Sequence, residues 1–142
     1  MKRMRNEKGA ALIEAAITVP VILLISVGIF EFGRAYQTQQ VLTNAAREGA
    51  RMAVITGTTD DAIRTRVRNY MQAGSLPNYS TATIGVTRSV ALTATDTGSS
   101  ITIEYPFQFM VLNPVVKLVA PSDNKTGAPI TMTSSALMRN EM

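Results

Sequence analysis

The chain has 142 residues, 46% of them hydrophobic, a net charge of +4, and neither cysteine nor histidine. That length holds one small domain beside a membrane segment. Disulfides and thiol chemistry are excluded, the commonest transition-metal ligands are missing, and so is the usual general base at neutral pH.

The charge is unevenly placed. Lys2, Arg3, Arg5 and Lys8 against Glu7 put +3 before Ala10 and leave only +1 for the rest. From Ala10 to Phe30 the single charge is Glu14. About 20 apolar residues cross the hydrocarbon core as a helix, so 10–30 is expected to be a transmembrane helix. The basic leader, 1–9, orients it with the N-terminus in the cytoplasm and everything after Phe30 outside. A carboxylate in such a span costs roughly 2.5–3.5 kcal/mol at mid-helix, so Glu14 needs a reason. Cutting after Gly9 supplies one, because the new ammonium on Ala10 then lies four residues from Glu14 on the same helix face. A removable signal peptide needs a small-x-small site after its apolar core, and Glu31-Phe-Gly-Arg-Ala-Tyr36 offers none.

Pro20 predicts a kink rather than a stop in a membrane helix. The helical pattern then continues, with Phe32, Ala35, Gln39, Leu42, Ala46, Gly49 and Ala53 recurring at spacings of three and four. One helix is expected from about Ala10 to Ile55, its second half a stem (31–55) whose stripe of small residues admits another element closely. Gly57 to Asp61 ends it and starts a second helix, 60–73, with Thr59 or Asp60 as N-cap, a stripe of Ile63, Val67, Tyr70 and Met71, and Gly74 as C-cap.

The remainder (81–138) reads as strands. Ala82, Ile84, Val86, Val90, Leu92 and Ala94 share one parity from Thr81 to Thr95, with Arg88 the exception. Asp96 to Ser99 signals a turn. Ile101, Ile103, Tyr105, Phe107 and Phe109 then alternate with polar residues, and Pro106 predicts an edge or a bend. A short helix is expected from Asn113 through Val119, a polar loop from Pro121 to Pro129, and a last strand from Ile130 to Met138. The fold class is α+β, with an antiparallel sheet.

Together these residues resemble the TadE-like pseudopilins of the Tad (Flp-type) pilus systems. The resemblance is carried by Lys8-Gly9-Ala10-Ala-Leu-Ile-Glu14-Ala15, Pro20, Ile29-Phe-Glu-Phe-Gly-Arg34, Leu42-Thr-Asn-Ala-Ala-Arg-Glu-Gly-Ala-Arg51 and the closing Met138-Arg-Asn-Glu141. It is dense in the first half and mainly one of pattern in the strand-rich half. It implies a pilin-like fold, with 31–142 as an extracytoplasmic domain. A prepilin peptidase would cut between Gly9 and Ala10, and Glu14 would pair with a neighbouring subunit's ammonium. The partners would be other pilins or pseudopilins, the pilus assembly machinery and the lipid bilayer of a bacterial inner membrane. Entering the fibre, capping it and remaining in the membrane all fit. Two positions depart from the pattern: Ala10 stands where the best-known type IV pilins have Phe, and Ala15 where the family often has an aromatic residue.

Two other readings compete. An uncleaved, membrane-anchored binding or adhesion protein would use the Thr- and Ser-rich strands as its recognition surface. An anchored enzyme lacks a nucleophile–base pair, a metal cluster and a phosphate loop, so neither catalytic residues nor a cofactor are expected. Arg64, Arg66 and Arg68 read as a solvated face, since no aromatic interleaves with them to stack on nucleic-acid bases.

Overall fold

The structure is a computed structural model that describes residues 3–93, 96–114 and 129–140, with side chains from Gly9 onward. Arg3–Ala53 form one helix, α1, of 51 residues, about 77 Å long at 1.5 Å per residue. It runs through Pro20 without a break in the helix. It stops two residues short of the expected Ile55, which is exposed, and Gly57 turns the chain with a φ of +84°.

The two halves of α1 differ in what they touch. Every residue from Gly9 to Phe30 except Val27 is exposed, whereas the second half buries Leu42, Ala45, Ala46, Gly49, Ala50 and Ala53. The small residues do what their size allows. A Cβ on Gly49 would stand 2.6 Å from Val67 Cγ2 and 3.3 Å from Ile101 Cγ2, so α1, the second helix and the sheet meet at that glycine. The expected stripe needs correcting at its lower end. Phe32 points outward, and Glu31 and Thr38 are buried in its place.

The second helix, α2, spans Asp60–Ala73. Thr59 caps it by accepting from the Ala62 N–H, and Asp60 and Asp61 sit in the first turn, where the helix dipole favours acids. Ile63, Val67 and Met71 are buried against α1, but Tyr70, expected beside them, is partly exposed. Gly74 is the C-cap, yet its φ is −76°, so left-handed geometry does not explain the glycine. Packing does, because a Cβ there would lie 2.5 Å from Val41 Cγ1. The two helices are also joined by Glu48, which accepts from Arg66 Nη2 at 2.9 Å and Arg51 Nε at 3.2 Å.

A 3-10 turn at Tyr79–Thr81 leads into three strands, β1 (Thr83–Ala91), β2 (Thr97–Phe107) and β3 (Ile130–Arg139), antiparallel in the order β1-β2-β3. Ile101, Ile103, Tyr105 and Phe107 face the helices and are buried. The other face is polar and aligned, with Thr83, Glu104 and Thr133 in one row and Gly85, Thr102 and Ser135 in the next. A one-sided antiparallel sheet with its apolar face under helices is thus complete as a two-layer α+β unit.

Three strand expectations change. β2 is central, not an edge; Pro106 is tolerated because β1 begins opposite Glu104 and the proline lies past that pairing. β1 ends at Ala91, the Leu92 N–H donates to the Asp96 carbonyl at 2.9 Å, and Thr97 to Ser99, expected in the turn, are already strand. β1 runs only from Thr83 to Ala91, and an irregularity inside it between Thr87 and Val90, with Ser89 at a φ of 57°, breaks its alternation. Arg88, the odd residue of that alternation, reaches back to the helix junction. It donates to Asp60 Oδ1 at 2.8 Å, the Ala53 carbonyl at 3.1 Å and the Thr58 carbonyl at 2.6 Å. Ala94, Val115 to Val119 of the expected short helix, and the loop up to residue 128 lie outside the described residues.

Candidate processing and assembly site

Gly9, Ala10 and Glu14 lie on one uninterrupted helix, all three exposed. Helical spacing puts Ala10 and Glu14 on the same face, one turn apart. No side chain or backbone comes within 4 Å of where a Gly9 Cβ would be. Glu14 makes no hydrogen bond or ion pair among the described residues, so its carboxylate is open to a partner outside the folded unit. Ser26 Oγ, further along, donates back to the Ile22 carbonyl at 2.9 Å, which satisfies its hydroxyl within the helix.

Around these residues α1 is apolar and uncovered. Its most apolar window has a mean hydropathy of 2.4 with none of it buried, and α1 is the one helix among the described residues long and apolar enough to cross a membrane. A single-pass anchor carrying a C-terminal folded domain fits that arrangement.

A second constellation lies where the apolar half meets the domain, and sequence reasoning missed it. Glu31 is buried; its Oε1 accepts the Val111 backbone N–H at 2.5 Å and its Oε2 accepts Arg34 Nη1 at 2.8 Å. The Arg34 guanidinium also lies 5.4 Å from the centroid of the Phe107 ring, which Phe109 meets edge-on at 5.3 Å. Tyr105 donates to the Pro77 carbonyl beneath them, and burial raises its phenol above the usual range despite the nearby Arg34. A cleft of about 560 Å³ opens here between Arg34, Thr38, Asn78, Phe107 and Met110. The available signal was the Glu31–Arg34 spacing of three, a helical ion pair at the end of an uncharged run. Among the described residues no group of three or more acidic, histidine or cysteine side chains is placed to hold a metal.

A long helix, uncovered and apolar in its first half and packed on a small α+β unit in its second, fits a single-pass anchor that carries a folded domain. The model of the family described as TadE-like protein matches residues 9–51, so that stretch is similar to the TadE-like proteins. The match begins at Gly9, includes Glu14, Glu31 and Gly49, and stops just before α1 ends. No curated protein and no solved structure matches the chain.

Proposed function

We propose that the protein is a pseudopilin, or minor pilin, required to assemble a Tad-type pilus. A prepilin peptidase removes residues 1–9, and Ala10 becomes the N-terminus. The carboxylate of Glu14 then pairs with the ammonium of an adjacent subunit as helices come together out of the bilayer. The protein crosses a bacterial inner membrane once, N-terminus inside, and presents α2 and the sheet outside. Its partners are the peptidase, the other pilins or pseudopilins of its system and the assembly machinery.

One observation carries this reading. Glu14 stands exposed and, among the described residues, without a partner on an apolar, uncovered helix, one turn after Ala10, in a stretch similar to TadE-like proteins that begins at Gly9. Drawing a lone carboxylate through lipid as the helix leaves the bilayer is unfavourable, and a cationic partner from another chain removes that cost.

Intact mass tests it. Protein purified from membranes of cells with a prepilin peptidase is expected to lack Met1 to Gly9, and protein from cells without the peptidase to retain them. A full-length chain in both strains sinks the proposal.

A further inference from the structure

The apolar face of α1 does not end where its first charge after Glu14 appears. Ile25, Ile29, Phe32 and Tyr36 are spaced four, three and four apart and line one face, and Phe32 and Tyr36 are 73% and 61% exposed. The two charges within that stretch are withdrawn from it: Glu31 is buried under Val111, and Arg34 is partly buried beside the Phe107 ring. Beyond Glu14, the next fully exposed charge on α1 is Arg47. The stripe turns polar at Gln40, four residues past Tyr36. Met110 stands at the same level, because the next residue, Val111, is the one bonded to Glu31, and it too is largely exposed.

We infer that the outer lipid boundary lies at Tyr36 rather than at Phe30, with Phe32 and Tyr36 in the interfacial layer and the Glu31 end of the folded domain resting on the lipid surface. This rests on α1 crossing the membrane, as proposed above. Lipid is the occupant because the stripe continues the spanning face without an intervening exposed charge and closes on a tyrosine. A tyrosine ring keeps its body in lipid and its hydroxyl in water, which is why such residues collect at membrane interfaces.

The shift has a consequence at the other end. From Ala10 to Tyr36 the helix is about 39 Å long, against a hydrocarbon core of about 30 Å. About 20 residues back from Tyr36 the inner boundary falls near Ala16. Ala10 and Glu14 then sit among the inner headgroups, where the carboxylate is hydrated and both residues are within reach of a peptidase or a neighbouring helix.

The chain has no tryptophan, so single tryptophans report depth. Full-length Ile22→Trp, Phe32→Trp, Tyr36→Trp and Gln40→Trp proteins are reconstituted in phosphatidylethanolamine–phosphatidylglycerol vesicles with bromine at shallow or deep acyl positions. Ile22→Trp is expected to lose emission to deep bromines. Phe32→Trp and Tyr36→Trp should emit to the blue and lose emission to shallow ones, and Gln40→Trp should emit as in water. Water-like emission from Tyr36→Trp, with Ile22→Trp still quenched, overturns the boundary but not the span. Blue-shifted, unquenched Tyr36→Trp overturns it by showing that another protein chain covers the stripe. Loss of quenching at Ile22→Trp overturns the span itself, and with it the proposed function.

Discussion

The Val111 backbone N–H donates to the Glu31 carboxylate across 80 residues of chain, and that bond fastens the segment that follows β2 to the helix just beyond its uncovered half. Glu31→Ala leaves the Val111 N–H and the Arg34 guanidinium without their acceptor in a largely buried site. Stranding such groups costs about 2 kcal/mol. Chemical denaturation of the full-length protein in micelles is expected to register that loss. An unchanged midpoint rules out the bond as a fastening.

Acid should act through Glu48. Its carboxyl is held below the ordinary value of 4.5 by its hydrogen bonds from Arg51 and Arg66, so its contribution is fully present above that pH and is lost as pH falls through the lower folded value. Stability of the unaltered protein is therefore expected to decline below about pH 4.5, the ordinary carboxylate value. Glu48→Gln should flatten part of that decline in a denaturation series against pH. An acid slope equally steep in the variant assigns it to other carboxylates.

Gly49 is the tightest point of the helix–helix–sheet junction. An added methyl would overlap Val67 Cγ2 at 2.6 Å, and overpacking of this kind costs about 1–3 kcal/mol. At Gly33 nothing lies within 4 Å of the same position, so Gly33→Ala should gain up to about 1 kcal/mol of helix propensity. Thermal unfolding of the two variants is expected to move in opposite directions. Adding Val67→Ala to Gly49→Ala should cost less than the two separate losses combined, because the cavity accepts the methyl. Strict additivity means the clash is relieved elsewhere.

Much of this was open to reading along the chain. Leu42, Ala46, Gly49 and Ala53, and Ile63, Val67 and Met71, fall on their helical periods because burial on one side selects apolar residues every three or four positions. The alternation from Ile101 to Phe107 marks the packed face of β2 in the same way. The failures have a common cause in contacts that are distant in sequence. Phe32 and Tyr70 read as core because they are aromatic and in phase, but no element reaches over them. Glu31 read as the first outside charge because its acceptor role is fulfilled by a backbone N–H 80 residues away. Arg88 was visible as a break in parity, but its acceptors, at the end of α1 and the start of α2, are 28 to 35 residues distant. Gly9, Ala10 and Glu14 can be proposed from the chain alone because the signal they carry is local, set by helical spacing rather than by distant contacts.

Arg88 closes the junction between the helices, accepted by one carboxylate and two carbonyls from three different places. Arg88→Lys keeps the charge but loses the planar fork that reaches all three. A loss of about 1 kcal/mol is expected for Lys and somewhat more for Ala, since these bonds are partly exposed. Hydrogen exchange should localise the effect, with faster exchange at Ile55 and Thr58, whose N–H groups close the connecting turn. Faster exchange confined to β1 points to the strand irregularity, not the junction, as what Arg88 supports.

Glu14→Ala separates anchoring from assembly. Removing a carboxylate from an apolar helix makes insertion easier, by up to roughly 2.5–3.5 kcal/mol were the group at mid-bilayer and by less near a headgroup layer. The folded unit is expected to be untouched, since Glu14 makes no bond to it among the described residues. The variant is therefore expected in the membrane fraction at normal abundance, with its sheet and helices intact by circular dichroism. What it should lose is the cationic partner on a neighbouring chain, and with it the pilus. Counting sheared filaments by electron microscopy from cells carrying Glu14→Ala as their only copy checks this. Glu14→Asp keeps the charge on a shorter arm and is expected to restore filaments in part, an outcome that a purely steric role for the side chain does not produce. Normal piliation with Glu14→Ala would leave the carboxylate without an assembly role, a solvated acid among the headgroups and nothing more.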